Sequence, residues 1–288
     1  MEMTRVEQMN KTQLMGELKT ILLAVDGSSY SEGAIKEAIM LAGSCDIKLT
    51  LLYVSILSDG FESGGMTFVE KLDKDIAGYL DKIREDGAEN NVEVDIVVRR
   101  SNEAYKGIIE EAGERGSDII IMGRRGMTGL KKLLMGSVTS KVIAYSPCKV
   151  LVVPKDAAIK GEHILFATDG SKYSEAASLE AISMARRCPN VKTFTVLSVA
   201  SNRDKLPEAR AFADHVVNHA PKREQVKVEG LAQVGRPYEV IIETAAKCGS
   251  DIVIMGTHGR TGLEKLLMGS VAERVVALAP CSVLVVKD

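Results

Sequence analysis

Short apolar runs rich in β-branched residues recur along the chain: ILLAV at 21–25, LTLLYV at 49–54, VDIVV at 94–98, DIIIM at 118–122 and VLVV at 150–153. They are nearly unbroken rather than alternating, which is the pattern of strands buried on both faces of a parallel sheet. Between them the period lengthens. Ala34, Ile35, Ala38, Ile39 and Ala42 fall within three or four residues of one another, as do Phe68, Leu72, Ile76, Leu80 and Ile83. Each interval therefore predicts a helix that buries one stripe. The second half repeats the alternation, with strands expected at 191–199, 226–231, 252–255 and 283–286. Strands alternating with helices imply right-handed crossovers and a sheet covered on both faces. The predicted fold class is α/β, twice over.

The repetition extends to residue identities. Residues 116–153 and 249–286 align without a gap, and 26 of the 38 positions are identical. Upstream, ILLAVDGSSYSEGA at 21–34 corresponds to ILFATDGSKYSEAA at 164–177. The offset is 143 residues at Asp26/Asp169 but 133 at Gly123/Gly256, so the first copy carries about ten extra residues, expected near 58–66. A repeat of this length is a whole domain rather than a solenoid unit. The 288-residue length agrees with two copies, at about 150 residues per domain.

Composition narrows the function classes. Hydrophobic residues make up 45% and charged ones 26%, an ordinary globular balance that excludes collagen-like and disordered chains. No apolar stretch approaches a membrane span, and the first residues lack a basic-then-apolar leader, so a cytoplasmic protein without membrane association is expected. A net charge of −2 and 4% aromatics, with no tryptophan, argue against nucleic-acid binding by bulk charge or base stacking. Five cysteines (45, 148, 188, 248, 281), none in a C-x2-C, read as reduced thiols packed as small hydrophobes.

Ligands of open α/β sheets bind beyond the carboxyl ends of the strands, where the strand order reverses. Strand one ends in Asp26-Gly27-Ser28 and Asp169-Gly170-Ser171. A carboxylate there can accept from ribose hydroxyls or hold a metal; alternatively, Asp-Gly-Ser makes the turn and caps the helix. After strand four, Gly123, Gly126 and Gly136-Ser137 stand as G-x2-G-x9-G-S, and Gly256, Gly259 and Gly269-Ser270 repeat the spacing. Glycines admit close approach of a phosphate and positive φ. Gly-Ser then opens a helix at 137–145, whose first N–H groups and dipole favour an anion. A serine N-cap would explain the Gly-Ser step but not the earlier glycines, so phosphate binding is the stronger reading. No Walker A and no G-x-G-x-x-G is present, which excludes a P-loop NTPase and a standard dinucleotide site. Arg124, Arg125, Lys131, Lys132, His258, Arg260 and Lys265 could neutralise phosphates or simply be solvated.

These motifs resemble the nucleotide-binding branch of the universal stress protein family, which is marked by G-x2-G-x9-G-[ST] after the fourth strand and by Asp at the end of the first. The resemblance covers 20–154 and 162–288, leaving 155–161 as a linker and 1–19 as an N-terminal arm. It implies two tandem Rossmann-like domains, each a five-stranded parallel sheet of order 3-2-1-4-5, with ATP or AMP at the switch point and Mg2+ accompanying ATP. Asp26 and Asp169 would then face the ribose. Val54 and Val199 would offer backbone to the adenine, with Ala24 and Ala167 leaving room for it. Met122, Gly123, Met255 and Gly256 would line the sugar. Gly126, Gly136, Ser137 and Val138, with Gly259, Gly269, Ser270 and Val271, would wrap the phosphates. The resemblance also implies an intramolecular pseudo-dimer through the fifth strands, or a homodimer.

One departure is Asn102-Glu103-Ala104 in the first copy, where the second has Gly235-Arg236-Pro237; this loop is expected to lie away from the phosphates. The functional expectation is an adenine-nucleotide-binding stress-response module. The alternative is a slow ATP hydrolase or autophosphorylating enzyme at the same sites. Against it, only His258 of the four histidines falls in a site loop, and its counterpart is Arg125. His215 and His219, at i,i+4, lack an apparent third metal ligand and read as a solvated pair. A flavin protein is disfavoured because no aromatic residue is placed to stack the ring.

Overall fold

The computed structural model describes residues 18–45, 47–56, 66–126, 135–157, 159–260 and 268–287, with backbone only at 44–45 and 66–75. Nearly all of the expected N-terminal arm and of the copy-one insertion lies outside the described residues, as do Lys131, Lys132 and Lys265. The chain divides into two compact units, with the boundary between Asp156 and Ala157.

The first unit runs β1 (Thr20–Val25), a 3-10 turn (Ser29–Ser31), α1 (Glu32–Cys45), β2 (Lys48–Ile56), α2 (Met66–Glu89), β3 (Val94–Ser101), α3 (Ala104–Arg115), β4 (Ile119–Gly123), α4 (Ser137–Tyr145) and β5 (Lys149–Val153). All strand pairs are parallel, in the order β3-β2-β1-β4-β5. The second unit runs β6 (His163–Thr168), α5 (Lys172–Arg187), β7 (Thr193–Ala200), a 3-10 turn (Arg203–Lys205), α6 (Leu206–His219), β8 (Lys227–Val234), α7 (Pro237–Lys247), β9 (Ile252–Gly256), α8 (Ser270–Leu278) and β10 (Ser282–Val286). Its order is β8-β7-β6-β9-β10, again parallel. In each unit the first and fourth strands lie side by side, and their outgoing connections leave in opposite directions.

Burial follows position in the sheet. β4, β5, β9 and β10 are buried throughout, as unbroken apolar runs require. Phe166 and Phe194 are fully enclosed in the second core, where truncation to alanine costs about 3–5 kcal/mol. β3 and β8 flank their sheets and are half-exposed. β8 continues three residues past the expected 226–231, because Ala232, Gln233 and Val234 still pair with Ser198, Val199 and Ala200. Backbone pairing there does not need an apolar side chain.

The repeated Gly-Ser-Asp before the fourth strand is structural. Gly116 (φ +61°) and Gly249 (φ +58°) take the left-handed conformation that ends α3 and α7, a cost glycine escapes. Ser117 N and Ser250 N then bond back to Ala112 O and Ala245 O, both at 2.9 Å. Asp118 Oδ2 accepts from the N–H groups of Lys19 (2.8 Å) and Thr20 (2.9 Å). Asp251 Oδ2 accepts from Glu162 and His163, both at 2.8 Å. One carboxylate thus fixes where the first strand enters beside the fourth.

Candidate functional site

In the second unit, β6 delivers Asp169 to the carboxyl edge of the sheet, and Gly170 turns the chain with φ +73°. Ser171 caps α5 by accepting from Ser174 N at 3.2 Å. Asp169 Oδ1 accepts from Ser171 N (3.1 Å), while Oδ2 accepts from Arg260 N (2.8 Å) in the loop after β9. The carboxylate therefore ties the first-strand turn to the fourth-strand loop. It has about four lone-pair directions, so acceptor capacity remains. Gly259 backs on the same group: a Cβ there would lie 2.6 Å from Oδ2.

At the end of β9, a Cβ on Gly256 would lie 2.6 Å from the carbonyl oxygen of Tyr173, so glycine lets the start of α5 close against the strand. Gly269 is the N-cap of α8 and makes no side-chain cap bond. The N–H groups of Ser270, Val271 and Ala272 have no acceptor within the helix, as in any first turn. Above them is a cavity of about 250 Å³, lined by Ala167, Thr168, Asp169, Ser174, Leu197, Val199, Pro237, Ile241, Met255, Gly256, His258, Gly259, Arg260, Gly269, Ser270, Val271 and Ala272. One end is aliphatic; the other carries a carboxylate, two basic side chains and the helix N-terminus.

The first unit repeats the frame with different bonds. Asp26 Oδ1 accepts from Ser28 N (3.1 Å), Ser28 Oγ (2.7 Å) and Ser31 Oγ (3.1 Å). A Cβ on Gly126 would lie 2.6 Å from Asp26 Oδ2, and one on Gly123 would lie 2.7 Å from Tyr30 O. Gly136 is the uncapped N-cap of α4, with Ser137 exposed and Val138 half-buried behind it. Thr139 Oγ1 donates to Gly123 O at 3.1 Å, a bond that Ala272 cannot make in the second unit. Ala24 and Met122 stand in register on β1 and β4. Val54 is approached by α3, where a Cβ on Gly107 would come within 2.9 Å of it.

A sequence model described as the universal stress protein family matches residues 17–154 and 161–287. The chain belongs to this family. A universal stress protein of Mycolicibacterium smegmatis is 25% identical over 296 residues, covering 93% of this chain and 96% of its own length. One from Methanocaldococcus jannaschii is 36% identical over 137 residues, covering 43% of this chain and 81% of its own. Among solved structures, a universal stress protein from Archaeoglobus fulgidus superposes with a TM-score of 0.73 at 18% identity, covering 94% of this chain and 99% of that one. That likeness extends the tandem Rossmann-like fold over both units.

Within this universal stress protein the nine second-copy residues singled out from the sequence, from Ala167 to Val271, all line the one cavity. Two details of the reading are corrected. None of the six motif glycines has a positive φ; that conformation falls at Gly27, Gly116, Gly161, Gly170 and Gly249, and the motif glycines are needed for close approach instead. Ser137 and Ser270 are not N-caps but the first helical residues, since Gly136 and Gly269 take the cap position. The loop at Gly235-Arg236-Pro237 reaches the cavity through Pro237, at its aliphatic end.

Sequence reasoning missed Thr168, Ser174, Leu197, Pro237, Ile241 and Ala272 as lining residues, and it left His258 and Arg260 undecided. Their signal was available in part, for Ile241 lies one helical turn beyond Pro237. His215 and His219 pack ring to ring at 4.8 Å, and no group of three metal-ligating side chains occurs among the described residues. Cys281 is buried, and burial pushes the Cys148 thiol pKa up, which suits packing rather than nucleophilic chemistry. Among the described residues no helix is long and apolar enough to cross a membrane.

Proposed function

We propose that both units bind an adenine nucleotide, ATP or AMP, at the carboxyl edge of the sheet, and that the protein acts in stress physiology through occupancy rather than turnover. The observation that carries this reading is the cavity of the second unit. An aliphatic wall of Ala167, Leu197, Val199, Pro237, Ile241 and Met255 gives way to Asp169 and then to the N-terminus of α8. That sequence of surfaces matches a nucleotide: an apolar slot for the base, an acceptor for ribose hydroxyls, and N–H donors on a helix dipole for phosphate. The volume of about 250 Å³ is slightly below the ~300–1,000 Å³ usual for small-molecule sites. It suits the nucleoside, with the phosphates at the mouth beside Gly259 and Gly269. None of the described lining residues is Phe or Tyr, which speaks against a flavin.

His258 on the cavity wall is the observation favouring the alternative, slow hydrolysis; its counterpart Arg125 denies that chemistry a common base in the two copies. Mass spectrometry of small molecules released from the purified protein, followed by calorimetry, tests the proposal. AMP or ATP is expected; a flavin, or no heat with any adenine compound, would overturn it. Steady phosphate release abolished in Asp26→Ala/Asp169→Ala would move the assignment to the hydrolase.

A further inference from the structure

The second site carries a feature that its phosphate cradle does not require. Arg260 follows Gly259, and its N–H bond to Asp169 Oδ2 (2.8 Å) fixes its Cα beside the carboxylate. Arg260 lines the cavity, and its guanidinium is held by α6. The guanidinium lies 5.3 Å from the ring centre of Phe212, and Nη1 is 2.8 Å from Glu208 Oε1. Phe212 is itself pressed onto the turn, since a Cβ on Gly170 would lie 2.3 Å from its ring. The arginine is thus positioned by two elements at the mouth of the site.

Resting on the nucleotide reading above, we infer that Arg260 makes the second site selective for adenine nucleotides with more than one phosphate, and that Glu208 holds it until such a ligand arrives. The helix N-terminus at Gly269-Ser270 suffices for a first phosphate, so AMP does not need the arginine. Further phosphates extend beyond that cradle and meet a planar guanidinium with five donors, able to grip them in bidentate fashion. The competing contact is weak. Arg260 and Glu208 are 52% and 34% exposed, and ion pairs at such sites are worth little. The bond to Arg260 holds the Glu208 carboxyl below its usual pKa, so Glu208 stays charged and the pair persists in the empty site. At the equivalent position the first copy has Met127, so selectivity by this arginine belongs to the second site alone.

Calorimetry with ATP, ADP and AMP on the full chain, Arg260→Gln and Glu208→Gln tests this. Both side chains are at the surface and the variants should fold, which circular dichroism checks. The unchanged chain should show a site binding ATP about tenfold more tightly than AMP, with ADP close to ATP. Arg260→Gln should weaken ATP about tenfold and so remove that difference. Glu208→Gln should strengthen ATP roughly threefold without affecting AMP. Equal affinity for ATP and AMP at both sites, or a preference that survives Arg260→Gln, overturns the inference while leaving the proposed function standing. Weaker ATP binding in Glu208→Gln overturns the holding role. No binding of any adenine compound overturns the proposed function as well.

Discussion

At the residue scale, the motif glycines divide by what an added Cβ would strike. Gly123 and Gly256 face backbone carbonyls at 2.7 and 2.6 Å, which cannot move without shifting a helix, whereas Gly136 meets nothing closer than 3.5 Å. Gly123→Ala or Gly256→Ala should therefore cost about 1–3 kcal/mol in urea denaturation. Gly136→Ser should leave stability equal or a few tenths of a kcal/mol higher, because serine is the better N-cap. It should nevertheless weaken nucleotide binding at the first site, since its hydroxyl would accept from the N–H groups that phosphate needs. A second residue-scale prediction concerns Tyr79 on α2. Among the described residues its buried hydroxyl makes no well-formed hydrogen bond, and burial, then the charge of Asp26, pushes its pKa up to about 12 despite the nearby Ser31 hydroxyl. A pKa raised from 10 on folding leaves stability intact below pH 10 and removes it as pH rises toward 12. Tyr79→Phe should flatten that alkaline loss, and at pH 7 it should be neutral or slightly stabilising. Denaturation curves at pH 7 and pH 11 check both points.

At the element scale, each fourth strand is positioned by its aspartate. Asp251→Ala would leave the N–H groups of Glu162 and His163 short of their acceptor at the start of β6. That should cost about 1–3 kcal/mol, and Asp251→Asn less, because one carbonyl oxygen is kept; chemical denaturation read on the second unit distinguishes them. The elements themselves were legible because the physics that makes them is local. The unbroken runs of β1 and β4 report burial on both faces, and the Gly136-Ser137 step announces the start of α4 correctly. Pro237 and Ile241 were not legible as site residues, since they reach the cavity only because α7 packs over β7 and against α8. The repeat also mixed two kinds of signal. Gly-Ser-Asp at 116–118 and 249–251 recurs for folding, Asp169 serves its turn and lines the cavity at once, and nothing in their spacing separates those roles. Glu208 and Phe212 lie about fifty residues before Arg260, and only the packing of α6 reveals the pair.

At the scale of the whole molecule, each unit has its own five parallel strands and its own switch point, so on the proposed reading a nucleotide would stabilise the unit that holds it. A ligand at about 100 times its Kd adds roughly 2.7 kcal/mol to the folded state it binds, which for a domain of this size is a melting shift of several degrees. Thermal scans with saturating ATP should show this shift in the intact chain. Asp169→Ala should abolish the part due to the second unit, and Asp26→Ala the part due to the first. Both variants lose turn bonds, Asp26 more of them, so each baseline will fall. The shift between paired scans with and without nucleotide removes that baseline and isolates binding. If it survives in the double variant, the ligand sits elsewhere. If it vanishes in Asp169→Ala alone, only the second site is filled, as its uncommitted carboxylate capacity and its arginine would favour. The protein would then sense nucleotide through one unit, with the other left as its structural counterpart.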